Sequence, residues 1–228
     1  MHCLLNRKEF RYKFCISGYC SSLECKKCRL FHQKRRPKLE KITSILVIAL
    51  LVAIPCVWAD SSNPRVRLET NQGVIMLELD PQVAPKTVEN FLRYVSDGFY
   101  DGTIFHRVIK GFMIQGGGLT TDMRKKLARD SIVNEADNGL KNRRGTVAMA
   151  RTANPHSATA QFFINSADNS FLDHKGKTSK DWGYCVFGKV VEGMKVVDSI
   201  EILPTTVKAG HRDMPISSVM IERAVLVK

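Results

Sequence analysis

Residues 65–79 constrain the fold of this chain more than any other stretch. Val66 and Leu68 alternate with Arg65, Arg67 and Glu69, Gln72-Gly73 makes a turn, and Val74–Leu79 runs on until Asp80-Pro81. Apolar residues at period two, bounded by turn residues, are half-buried β-strands. Similar runs recur at Thr103–Ile109, Phe112–Gln115, Thr146–Arg151, Gln161–Asn165, Tyr184–Val190 and Ser218–Val227. Only two windows change period. Val88, Phe91, Leu92 and Val95 fall at i, i+3, i+4 and i+7, with Pro85 suited to a first helical turn and Asp97-Gly98 to a stop. Met194, Val197 and Ile200 mark a second, shorter helix. About eight strands without repeated strand–helix alternation argue against a doubly wound parallel sheet. The expected fold is mainly β, a closed eight-stranded antiparallel β-barrel capped by two α-helices. Residues 116–144, rich in Gly, Asp, Asn, Lys and Arg, read as one long surface excursion, of the kind that tends to be functional.

The net charge of +13 points at first to nucleic acid or an anionic membrane. Its distribution removes that reading. Residues 1–41 carry 12 of the 35 Lys+Arg and 3 of the 22 Asp+Glu, which leaves a net of only +4 for residues 42–228. No nucleic acid is expected as a partner, and a charge-driven surface binder is the weaker rival. Six of the seven cysteines (Cys3, Cys15, Cys20, Cys25, Cys28 and Cys56) precede Asp60, and Cys185 alone follows it. A domain beginning near Asp60 can form no internal disulfide. Cys185 is expected to be buried, because it shares a strand face with Phe187 while Tyr184 and Val186 share the other.

Residues 34–59 have the form of an export signal or signal anchor. Lys34, Arg35, Arg36, Lys38 and Lys41 precede an uncharged run, Ile42–Ile54, and Pro55 breaks it. Val57-Trp58-Ala59 suits cleavage after Ala59. Either route sends residues 60–228 out of the cytoplasm, to the periplasm or to the periplasmic face of the inner membrane. Membrane contact is expected only through this segment. Residues 1–33 read as a disordered basic, Cys-rich extension, in which Cys25-Lys26-Lys27-Cys28 lacks the partner pair a zinc site needs.

There is no G-x-S-x-G elbow and no H-E-x-x-H, and Gly116-Gly117-Gly118 is not followed by Lys-Ser or Lys-Thr. His106, His156, His174 and His211 have no ligand spacing. No metal or cofactor is expected. What stands out is Arg107 within an apolar strand, five residues before Phe112 and Met113, a costly placement unless the side chain has a role or a route to solvent. Gln161 beside Phe162-Phe163 repeats the pattern of a polar residue next to paired aromatics.

Six segments then resemble one family in order and spacing. They are N-F-L-R-Y at Asn90, F-H-R-V-I-K-G-F-M-I-Q-G-G at Phe105, G-T-V-A-M-A-R at Gly145, S-A-T-A-Q-F-F-I-N at Ser157, F-L-D at Phe171 and G-Y-C-V-F-G-K-V at Gly183. The stretch from Val66 to Val227 resembles the cyclophilins, peptidyl-prolyl cis–trans isomerases, and most of all the exported bacterial ones. The resemblance implies an eight-stranded barrel with two helices and proline-containing polypeptides as partners of a monomeric, cofactor-free enzyme. It implies that Arg107 is catalytic, with Gln115 and Phe112 beside it. Met113, Phe163 and Leu172 would line the proline pocket with Phe112. Gln115 and the backbone near Ala150 and Arg151 would hold the peptide, and Gln161 would support Arg107 or the peptide. Phe171 and Tyr184 also belong to the implied substrate surface. They replace the Trp and His of many eukaryotic members, and the former change puts cyclosporin sensitivity in doubt. Residues Lys175–Trp182 look longer than the family's shortest loop here. A proline-segment-binding chaperone or scaffold with little turnover is the alternative.

Overall fold

The computed structural model describes residues 63–227, so the expectations for residues 1–33 and for the segment 34–59 lie outside it. Ten strands and two helices run in the order β1 (Arg65–Thr70), β2 (Gly73–Leu79), α1 (Pro85–Ser96), β3 (Thr103–Ile109), β4 (Met113–Thr120), β5 (Thr146–Met149), β6 (Phe162–Asn165), β7 (Val186–Glu192), α2 (Met194–Glu201), β8 (Thr205–Lys208), β9 (His211–Pro215) and β10 (Met220–Val227). Eight of the strands close an antiparallel barrel in the order β1-β10-β3-β4-β6-β5-β7-β2. The expected fold is present, and closure leaves the barrel no unpaired edge. Among the described residues no helix is long and apolar enough to cross a membrane.

Alternation along the strands sorts side chains into two layers. Val108, Ile114, Ile164 and Val147 lie opposite one another across β3, β4, β6 and β5 and point into the core. Phe91 and Tyr94 of α1 pack onto the same core with Tyr100, Phe162 and Phe187. Phe162 meets Phe91 and Tyr100 edge-on, with ring centroids 5.4 Å apart in both pairs. Such pairs add about 0.5–1.5 kcal/mol each beyond their area burial.

Two features depart from the strand reading. β4 does not end at Gln115 but runs through the three glycines to Thr120. A Cβ on Gly116 would sit 2.9 Å from the Ile104 carbonyl and from the Phe105 ring, so this strand passes where no side chain fits. The surface excursion therefore begins after Thr120, not at residue 116. The second departure is the hairpin β8–β9, which lies outside the barrel and buries Met214 against Ile104 and Leu119. Ala209 and Gly210 join its strands, both at positive φ (49° and 80°), the conformation of a tight two-residue hairpin turn.

The excursion is pinned to the barrel. Helix α1 has Ala84 at its N-cap and no side-chain cap from its own flank. Glu135 supplies one from outside, accepting from the backbone N–H groups of Lys86 (3.2 Å) and Thr87 (2.9 Å) and from the Thr87 hydroxyl (2.7 Å). A carboxylate there satisfies orphan donors and complements the positive end of the helix dipole. Glu135→Ala should therefore lower unfolding stability by about 1–2 kcal/mol. A urea midpoint equal to wild type would contradict the cap.

Cys185 is 3% exposed and joins the core with Phe187, while Tyr184 and Val186 join the outer layer. Burial pushes its thiol up to about 12. The thiol should stay protonated at pH 8, and a thiol reagent should label the native protein far more slowly than the urea-unfolded chain. Equal labelling rates in the two states would refute the burial.

Candidate active site

A single irregularity in the sheet creates the site. Phe105 pairs with Gly116, yet Arg107 pairs with Gln115, so two steps along β3 are matched by one along β4. His106 is the extra residue of a β-bulge, which re-aims the side chain after it. Phe105 belongs to the barrel core. Without the bulge Arg107 would share that face, since side chains at i and i+2 do. With it, Arg107 joins an outer row of directly opposed residues: Arg107, Gln115, Phe163, Ala148 and Val186 on β3, β4, β6, β5 and β7.

The outer layer has its own apolar cluster, with Met113, Ala148, Phe163 and Val186 buried and Ile109, Phe112, Leu140, Ala150, Leu172 and Tyr184 packed around them. A hollow of about 120 Å³ opens in it, lined by Arg107, Phe112, Met113, Gln115, Ala150, Arg151, Phe163, Leu172 and Tyr184. That volume suits one small ring. Met113 and Phe163 are 2% and 4% exposed, so the floor is apolar and buried, while the rim side chains are half-buried.

Backbone anchors hold the rim. The Phe112 carbonyl accepts from the Ser166 backbone N–H (3.0 Å) and from Asn169 Nδ2 (2.8 Å). The Tyr184 N–H donates to the Leu172 carbonyl (2.9 Å), which ties two walls together. The Arg151 guanidinium lies 4.6 Å from the centre of the Tyr184 ring and donates through Nε to the Gly183 carbonyl (2.9 Å). Arg151 thereby supports Tyr184 and fastens the loop from Lys175 to Trp182.

Arg107 itself is loosely held. One terminal nitrogen donates to Gln115 Oε1 at 3.4 Å, Nε lies 3.8 Å from Asp213 Oδ2, and Cζ is 6.0 Å from the centre of the Phe112 ring. Gln115 Nε2 in turn donates to Gln161 Oε1 (2.9 Å), completing a relay from Arg107 to Gln161. Next to the arginine, burial lowers the His106 pKa to about 4; the hydrogen bond with the Ile104 backbone opposes the shift, and the His211 and Arg107 charges each add a smaller lowering. His106 is thus neutral near pH 7.

Nine of the eleven residues singled out from the sequence line the hollow. Gln161 does not; it stands behind Gln115 and reaches the hollow only through it. Phe171 does not either: it is 63% exposed at the entrance, its ring 5.5 Å from that of Phe112. The sequence reading missed Asp213, Leu140, Ile109 and the floor residues Ala148 and Val186. The V-A-M and V-F strand signatures mark the floor residues as one layer. Asp213 sits at φ 60° in an exposed hairpin that has no hydrophobic period.

The fold and site together are a closed barrel whose outer face carries a ring-sized hollow edged by a guanidinium. Residues 65–226 match the family model described as cyclophilin type peptidyl-prolyl cis-trans isomerase/CLD, and the chain belongs to that family. It is 60% identical over 162 residues to peptidyl-prolyl cis-trans isomerase cyp18 of Streptomyces antibioticus, covering 71% of this chain and 98% of the relative. It is 48% identical over 187 residues to peptidyl-prolyl cis-trans isomerase A of Dickeya dadantii, covering 82% of this chain and 97% of the relative. A solved cyclophilin type isomerase of Cryptosporidium parvum superposes with a TM-score of 0.60 at 30% identity, over 73% of this chain and 98% of that one. The protein is a peptidyl-prolyl cis–trans isomerase.

A test of the relay comes from Gly118. A Cβ there would lie 2.5–2.8 Å from the end of the Gln161 side chain, with no positive φ to strain. Gly118→Ala should swing Gln161 away and free Gln115. Loss of one hydrogen bond of about 1 kcal/mol corresponds to a roughly fivefold slower catalysed rate. The melting temperature should stay within about 2 °C of wild type, and unchanged turnover on a proline peptide would show that the relay does not matter.

Proposed function

We propose that Arg107 drives the isomerisation by gripping a twisted imide nitrogen, and that the clients are exported polypeptides. The observation that carries the first part is the guanidinium at the edge of a ring-sized hollow with a buried apolar floor.

The X-Pro amide resists rotation by about 18–20 kcal/mol because its C–N bond has partial double-bond character. Uncatalysed exchange takes tens to hundreds of seconds. Half-way through rotation the conjugation is broken, and the proline nitrogen becomes pyramidal with a lone pair that accepts a hydrogen bond. In this reading the proline ring rests on Phe112, Met113, Phe163 and Leu172 while the preceding carbonyl swings. Gln115 and the backbone at Ala150 and Arg151 hold the main chain. Arg107, always charged and rigidly forked, donates to the developing acceptor better than to the planar amide. Binding the transition state more tightly than the ground state is catalysis. The apolar walls also exclude water, which favours the charge-separated planar form. The chemistry involves no proton transfer and no covalent intermediate.

Arg107→Ala should reduce kcat/KM on a proline peptide at least about tenfold, the loss expected when one preorganised electrostatic donor is removed. Its circular dichroism and melting temperature should match wild type. Near-normal turnover by that folded variant would discard the assignment.

Export rests on the basic segment and uncharged run of residues 34–54, followed by Val57-Trp58-Ala59. N-terminal sequencing of the protein from fractionated cells should find Asp60 first, in the periplasm. An intact Met1 in the cytosol would overturn this part alone.

A further inference from the structure

A second hollow adjoins the first. It is an open groove of about 440 Å³ that shares Arg107 and Gln115 with the proline hollow. Lys125, His211 and Arg212 stand exposed around it, Leu119 and His106 form its buried part, and no carboxylate lines it. Most arginines elsewhere on the domain face an acidic partner: Arg65, Arg67, Arg93, Arg124, Arg129 and Arg144 are each within an ion pair. Among the described residues Arg212 makes none, and Lys125, like most of the lysines, makes none either. Asp213 lies at the edge of this charge, facing Arg107 Nε at 3.8 Å, and Asp122 is taken by Arg124 and Thr120. The groove therefore holds three permanent cations against one nearby carboxylate, beside a site whose occupant is an extended peptide.

We infer that this groove is a subsite for an acidic side chain of the client, an Asp or Glu placed one to three residues from the isomerised proline. The inference rests on the reading that the apolar hollow takes the proline ring. The two hollows share a wall one side chain thick, and an extended chain advances about 3.4 Å per residue, so one to three residues cover the step. Lys125 and Arg212 project from separate elements, the excursion after β4 and the β8–β9 hairpin, so the groove presents a fork and not a point charge. Exposed pairs are individually weak and screened by salt. The selectivity expected is accordingly a severalfold one that fades at high ionic strength. The hairpin, which the barrel does not need for closure, thus acquires a role in substrate choice.

The test is a set of alanine-based proline peptides carrying Glu, Gln or Lys at each position from three before to three after the proline. Isomerisation is followed by exchange NMR, with no coupling protease whose own preferences would intrude. At one position, wild-type kcat/KM should favour Glu over Lys at least about fivefold in 20 mM salt and fall to within about twofold in 0.5 M salt. In the Lys125→Glu/Arg212→Glu double variant that preference should vanish or invert, while the Gln peptides are turned over as by wild type. Glu and Lys within twofold at every position, or an unchanged ratio in the double variant, would overturn the acidic subsite. Failure of the wild-type enzyme to turn over the Gln peptides would instead strike the proline reading on which the subsite depends.

Discussion

The one-residue bulge at His106 is the constraint on which the rest of the structure depends. Barrel closure demands that apolar side chains face inward, and the strand pattern delivers that for Phe105 and Val108. A guanidinium on the same face would have to be buried without a partner, which is prohibitively unfavourable. The extra residue resolves the conflict. It keeps Phe105 inside, moves Arg107 out, and aligns it with Gln115 and Phe163 in the row that builds the hollow. His106 itself is left in a buried place, where desolvation lowers its pKa to about 4 and keeps it neutral. The bulge thus brings one side chain of a core strand to the edge of the hollow without opening the core.

The glycines of β4 serve the same end. Gly117 at φ 78° and the close approaches at Gly116 and Gly118 let the strand bend past Tyr100, Phe162 and Gln161. The space above Gly118 is where Gln161 lies, and from there it reaches Gln115. Polar order in the site therefore begins with a missing side chain.

Much of this was legible because alternation and helical period record burial directly. The eight barrel strands and both helices, the inward Cys185 and the outward Tyr184 come from that record alone. The row of residues forming the site was legible only through resemblance, since a bulge leaves no mark on composition. The three glycines misled, because Gly-rich sequence ordinarily signals a loop, whereas here it signals crowding. The β8–β9 hairpin was silent because all four residues of β8 are exposed and carry no period. Asp213, which that hairpin brings to Arg107, was silent with it. The motif placed Leu172 in the pocket and Phe171 on the substrate surface around it, and the 3₁₀ turn Ser170–Leu172 turns Leu172 to the hollow while leaving Phe171 exposed at the entrance.

On the mechanism proposed above, the looseness of Arg107 is part of how the site would work. A bidentate pair with a buried carboxylate would satisfy the guanidinium in the resting enzyme, and that interaction would have to be given up before the imide nitrogen could use it. Contacts of 3.4 Å to Gln115 and 3.8 Å to Asp213 orient the fork while leaving its donors underused. Both the arginine and the aspartate are about two-fifths exposed, so their attraction is screened and weak. Donor capacity withheld in the ground state would then be available in the proposed transition state, which is where binding energy raises turnover. The same half-exposed placement leaves Arg107 as the shared wall of two hollows, one apolar and one basic. If both proposals hold, a single side chain would couple the charge of a neighbouring client residue to the bond being rotated.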